Sequence, residues 1–309
     1  MSKLLYTLST FLILFCAPMS LRAQEEDLMS MLEEDTEPIV EKVTATFKAL
    51  TVINANTIET VKAKTLVFNI IHRFGNVAEG AHTLAGMDNA SNIRFAFDYG
   101  VTDKLLIGIG RSKVKEHIDG SIKYKILAQT TDNKMPITMV WYSGMAVTPM
   151  QSPRNADGSE KWSKAAHRFS YIHQLIIARK FSSAISFEIL PTYSHRNYIV
   201  RNVNPDNGAE EQNDLFSIGI AGRVKVNNRL SIVGDYFYTF SKYRNNNSAS
   251  PHYMPLGLGI EIETGGHIFH INLTNSPGII GNDYIPDTEE SWIDGDIKLG
   301  FNIARVFYL

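Results

Sequence analysis

Charged residues at even spacing are the first candidates for chemistry in this chain. In "SNIRFAFDYG" (Ser91–Gly100), Arg94 and Asp98 share one face of an extended strand with Asn92 and Ala96. Ile93, Phe95, Phe97 and Tyr99 take the other face, because side chains alternate across a strand. The same split recurs in "GSIKYKI", "LGLGIEIE" and "GDIKLGFNI", which set Lys123 and Lys125, Glu261 and Glu263, and Lys298 opposite bulky apolar residues. Carrying the alternation along the chain adds Arg73, Glu188, Arg223 and Asp235 to the charged face. A face with both signs of charge has two uses. Its members can pair with one another and fill a narrow interior, or they can line a water-filled constriction. On the second use the pore-lining candidates are Arg94, Asp98, Lys123, Lys125, Glu188, Arg223, Asp235, Glu261, Glu263 and Lys298. A slip of one residue would move any of them to the opposite face.

Other chemistry is less well supported by spacing. His267 and His270 in "HIFH" are three apart, which on a strand means opposite faces, so they do not form a shared metal site. A Ser–His pair on a lipid-facing wall would suit a barrel-embedded lipid hydrolase. Ser143, Ser170, His173 and His195 are the residues available, and nothing in their spacing singles them out. The acidic stretches Asn204–Asp214 and Asn282–Asp296 match no EF-hand ligand spacing and read as solvated loops. No HExxH, CxxC, Walker or GxSxG pattern is present, so no catalytic residue, metal or cofactor is expected.

The elements that position these residues are strands. From Thr60 onward the chain is a series of alternating segments, about twelve in number, read as the signature of an all-β, up-and-down antiparallel transmembrane barrel. Expected strands are Val61–Arg73, Asn92–Val101, Lys104–Lys115, Gly120–Gln129, Pro136–Thr148, Arg168–Arg179, Ser183–His195, Asp214–Val226, Leu230–Ser241, Met254–Thr264, His267–Asn275 and Gly295–Val306. Short connections alternate with long polar ones, as periplasmic turns and external loops do in the outer membrane. Tyr and Trp residues such as Tyr99, Trp141, Tyr193 and Trp292 gather toward strand ends, where an amphipathic ring suits the headgroup level. Inward glycines, among them Gly108, Gly219 and Gly257, leave room for water, a plug or a folded-in loop.

Upstream, residues 1–23 have the parts of a cleaved signal peptide: Lys3, an apolar centre including Leu12–Phe15, and Leu21-Arg22-Ala23 at the end. The only cysteine, Cys16, lies inside that segment, and Phe15 before it argues against lipidation. Residues 24–59 are expected as a periplasmic N-terminal segment, acidic from Gln24 to Pro38. Within it, Ile39–Glu59 suits a short helix, a plug or the approach to the first strand. The barrel then occupies residues 60–309. A net charge of -2 over 309 residues offers nothing to nucleic acid.

Four stretches, "HRFGN" (His72–Asn76), "MDNASNIRFAFDYGVTDKLLIGIGRS" (Met87–Ser112), "IDGSIKYKIL" (Ile118–Leu127) and "HRFSYIHQLIIARKFS" (His167–Ser182), resemble an outer-membrane β-barrel family of unknown function found in Bacteroidetes. The resemblance runs from about Phe47 to the C-terminus. It implies the fold and an outer-membrane location, and it carries no activity or site residue. The expected function is a narrow pore for small solutes. The alternative is a closed structural or docking barrel with a periplasmic or surface protein partner. In either case membrane lipid surrounds it.

Overall fold

The computed structural model of the chain describes residues 40–309. The expected signal peptide and residues 24–39 of the acidic segment lie outside them. Twelve strands follow one another around a closed antiparallel barrel: β1 (Thr65–Asn76), β2 (Ala90–Thr102), β3 (Leu105–Ser112), β4 (Ile118–Leu127), β5 (Thr138–Val147), β6 (Phe169–Lys180), β7 (Ile185–Arg196), β8 (Asp214–Lys225), β9 (Leu230–Phe240), β10 (Leu256–Thr264), β11 (His267–Thr274) and β12 (Lys298–Tyr308). Each pairs with its neighbours in sequence, and β1 pairs with β12 to close the ring. Closure leaves no free sheet edge, so every strand has partners on both sides.

The alternation of side chains decides which face is which. On β2, Asn92 and Ala96 are fully buried, whereas Phe95 and Phe97 are 44% and 48% exposed. Phe97 stacks on Phe68 of β1 with ring centroids 4.9 Å apart, and the two residues are direct cross-strand partners. The same apolar outside continues through Ile107 and Ile109, Ile122 and Tyr124, Phe216 and Ile218, and Leu258 and Ile260. A band of this kind suits lipid, and water would leave it a large exposed apolar patch.

The expected boundary that moved most is the first. β1 begins at Thr65 rather than Val61, because Lys64 adopts a left-handed conformation (φ 59°) and the preceding Ala63 amide donates to Asp103 Oδ1 at 2.9 Å. The connections sort to two rims. Tight turns between β2 and β3, β6 and β7, β8 and β9, and β10 and β11 share one rim with the somewhat longer β4–β5 connection. Long connections, including residues 148–168, 241–255 and 275–297, crowd the other.

Candidate functional site: a lumen closed from both rims

Two segments enter the barrel. The first precedes β1. Residues 41–43 lie against the β4–β5 connection, with Val43 donating to the Gln129 carbonyl (2.8 Å) and Thr131 donating to that of Glu41 (2.9 Å). The chain then rises into the lumen, turns, and descends to Thr60. Reciprocal backbone bonds make a small hairpin: Val52 donates to Ala55 at 2.9 Å and Thr57 to Leu50 at 3.0 Å. Phe47, Val52, Ile53, Ala55 and Ile58 are buried against inward residues such as Ile172, Leu190 and Phe237. Burying side chains of this size stabilises by about 1.5–3 kcal/mol each, so the interior holds an apolar core.

The barrel wall fastens the hairpin with polar groups. Asp235 Oδ2, midway along β9, accepts from three successive amides, those of Ile53 (3.0 Å), Asn54 (2.6 Å) and Ala55 (2.9 Å). Its Oδ1 accepts from Asn54 Nδ2 at 3.0 Å. Three converging N–H groups form a concave anion seat that satisfies a buried carboxylate without a cation. From other strands, Arg73 donates to the Ile53 carbonyl (2.9 Å), Lys123 to those of Thr57 (2.9 Å) and Leu50 (3.2 Å), and Asn56 to Gln174 (2.8 Å). Gly257 is where the sequence makes space: a Cβ there would lie 2.8 Å from both Ile53 and Asp235 Oδ1.

The second segment is residues 275–297, between β11 and β12. Its single helical turn, α1 (Gly281–Tyr284), is wholly buried. The Tyr284 ring sits 5.0 Å from that of Phe237, Asn282 donates to Ser170 on β6 (2.9 Å), and Gly281 passes so close to Ile172 that a Cβ would come within 2.2 Å of it. Tyr284 and Ile285 belong to the same apolar cluster as Val52 and Ile53. Ile279 and Ile280 face the hairpin across a residual gap of about 40 Å³, on the scale of a few waters.

All ten sequence candidates project to the inside, and most are engaged. Arg94 forms a two-pronged ion pair with Asp119 (3.0 and 2.5 Å), and Asp98 accepts from Asn69 at 2.7 Å. Both line the residual gap with Lys123. Lys125 is half-buried, and its ammonium makes no ion pair among the described residues. Arg223 and His270 both reach Glu261, at 2.7 and 3.1 Å. Glu263 pairs with Lys48 at 3.0 Å, and Lys298 pairs with Glu290. Glu188 is completely buried, and its oxygens make no hydrogen bond to any described residue. Arg73, on the charged face in the sequence, is also fully buried and holds the hairpin.

The sequence placed the wall and left a plug or a folded-in loop among the alternatives for its interior, without choosing the segments that fill it. "LTVINANTI" (Leu50–Ile58) was a usable signal, since apolar residues flank an Asn-Ala-Asn turn. "GIIGNDYI" (Gly278–Ile285) was another, being too apolar for a solvated loop.

On the outer face, Ser143 Oγ and His173 Nδ1 are 2.8 Å apart as cross-strand partners on β5 and β6. His195 instead bonds Asp214 (2.7 Å), and Ser170 points inward to Asn282. His173 has no hydrogen-bonding carboxylate among the described residues, so nothing orients it as a base. The pair satisfies two polar groups on an apolar wall. Among the described residues no group of three or more His, Cys, Asp or Glu is placed to hold a metal ion.

Comparison with known proteins agrees with this architecture. Residues 47–307 match the family described as a membrane-bound beta barrel domain, a domain of unknown function (DUF5777). The chain belongs to that family, and it is a membrane-bound β-barrel. No curated protein matches the sequence. Among solved structures, the NanC porin aligns over 79% of this chain and 99% of its own, with 9% identity and a TM-score of 0.46. An outer-membrane channel from Pseudomonas putida F1 aligns over 81% and 98%, with 11% identity and a TM-score of 0.46. The Acinetobacter baumannii outer membrane protein Omp33 aligns over 79% and 98%, with 7% identity and a TM-score of 0.38. At these values the likenesses carry no functional argument.

Proposed function

We propose that the protein is an outer-membrane barrel that passes small solutes only when the hairpin of residues 41–59 leaves the lumen. On this reading the tight turns face the periplasm and the long loops face outward, as in barrels of that membrane. The observation that carries it is the seat at Asp235. One wall carboxylate holds the hairpin tip by three backbone amides, an attachment that can be released without breaking the wall. The inward charges then serve twice. Lys123, Asp235 and Glu263 hold the hairpin at rest, and with the other inward charges they line the path once it has moved.

The test is single-channel conductance of the refolded mature chain beside a form lacking residues 24–59, each checked for folding by its gel shift on boiling. A quiet full-length protein and steady steps from the shortened one support the proposal. Silence from both, with both folded, overturns it. That outcome favours the second reading, a sealed barrel that docks a periplasmic or surface protein. The inserted loop supports this alternative, because it fills part of the lumen from the opposite rim and stays there when the hairpin leaves.

A further inference from the structure

Above the inserted loop, at the long-loop rim, lies a cavity of about 410 Å³. It is walled by residues from five connections and floored by Ser170 and Asn282. That volume is in the range of small-molecule sites. From the cavity's makeup we infer that it binds a small acidic saccharide, a sugar ring carrying one carboxylate.

Flat rings come first. Trp162 lies under the Arg168 guanidinium at 5.0 Å, the His167 and Tyr198 rings are 5.3 Å apart, and those of Tyr243 and His252 are 6.1 Å apart. These three pairs come from three different loops and line one cavity. Burial, with the Arg244 charge beside it, holds His252 below the usual histidine range, so its ring stays uncharged at neutral pH. Aromatic faces with polar edges suit a pyranose, whose C–H faces are apolar and whose rim is hydroxylated.

The charges then select among sugars. Arg168 donates to the carbonyls of Thr148 (3.2 Å) and Met150 and has no acidic partner, and Lys161 has none either, among the described residues. Arg196 of the lining pairs with Glu211 (2.9 Å), and Lys115 pairs with Asp287, so those two cations are matched. Against Arg168 and Lys161 the lining holds one carboxylate outside any ion pair among the described residues, that of Glu289. Arg196 Nε and His167 Nδ1 are buried and have no partner among them, an arrangement that costs free energy until a ligand supplies one. A neutral sugar would leave the cations unused, and a bare phosphate would leave the rings unused. The cavity asks for both.

The site lies outside the hairpin, so it stands whether or not the lumen opens. Binding is therefore measured on the full-length barrel in detergent, by calorimetry, with three probes: glucuronate, glucose and inorganic phosphate. Saturable glucuronate binding, at least tenfold tighter than glucose or phosphate, is the expected result. Arg168→Ala should remove the preference for glucuronate over glucose, and Trp162→Ala should weaken both sugars. If the Arg168 variant fails the boiling-shift check, Lys161→Ala serves in its place. Equal affinity for glucose and glucuronate overturns the charge assignment. Phosphate binding as tight as glucuronate overturns the saccharide, and no saturable binding to the folded protein overturns the site. Conductance plays no part in these outcomes, so a failure here is separate from a failure of the gating proposal.

Discussion

The hairpin and the inserted loop fill the same lumen by different means. The hairpin keeps its turn by its own bonds but is held in place by the wall, bonding to β1, β4, β6, β9 and β11 through Arg73, Lys123, Gln174, Asp235 and Thr274. The loop is tied largely to itself and to its own rim. Thr288 bonds the Tyr284 carbonyl (2.7 Å) and Ser276 (3.1 Å), and Asn275 bonds the carbonyls of Glu290 (2.8 Å) and Met254 (3.1 Å). A segment with its own turn, joined to one strand only, can leave as a unit once its wall bonds break. The loop is joined to a strand at each end, β11 and β12, and bonded to its neighbours, so it keeps its place. The contrast makes the hairpin the movable stopper and the loop a fixed part of the lining.

Removing each segment in turn tests that contrast most strongly. Deleting residues 24–59 should produce open steps in a planar bilayer where the full chain is quiet, whereas deleting 279–286 should leave the hairpin seated and the barrel quiet. Next in size is Asp235→Ala. It strips the acceptor from three buried amides, each costing about 1–3 kcal/mol when left unpaired. At about 1.4 kcal/mol per tenfold, open time should rise by at least roughly a hundredfold, read as channel open probability. No change would place the fastening elsewhere. Tyr284→Ala should cost the loop about 3–5 kcal/mol, the usual range for a buried aromatic. Its signature should be faster proteolysis of residues 275–297 with little new conductance. Smallest is Lys48→Ala. Its pair with Glu263 is about a third exposed on both sides, and such pairs contribute up to about 1 kcal/mol. Melting temperature and open probability should both stay close to those of the parent, and a marked change in either would make this pair part of the latch.

The wall was legible in the sequence because its information is local. Phe95 and Phe97 against Ala96 and Asp98 declare two faces within four residues, and the order of long and short connections declares the topology. The filling was legible only as an open alternative, a plug or a folded-in loop, and its fastening was not legible, for an equally physical reason. Asp235 and the amides it holds are about 180 positions apart, and no alternation or spacing links a carboxylate to a backbone turn that distant. The ten inward charges could be placed on a face, but their partners could not be chosen. Arg94 takes Asp119 from β4, two strands away, and Glu261 takes Arg223 and His270. The apolar run Ile279 to Ile285 marks a loop unsuited to solvent, but no local pattern names the residues upstream of the barrel that it meets.

The hairpin is joined to the barrel at one end by a very short leash. Thr60 and Ala63 are pinned to Asp103, and the chain enters β1 at Thr65. Its other end continues from Glu41. Tension applied there would not load all the fastenings at once. It would peel them singly, first the contacts with Gln129 and Thr131 at the rim, then the Lys180 bond to Thr44, then the Asp235 seat, and last the Gln174 and Lys123 bonds to Asn56 and Thr57. Sequential peeling needs far less force than shearing every bond together. A modest pull on the upstream end would therefore swing the stopper out about its leash, and the short tether would bring it back to the same seat on release.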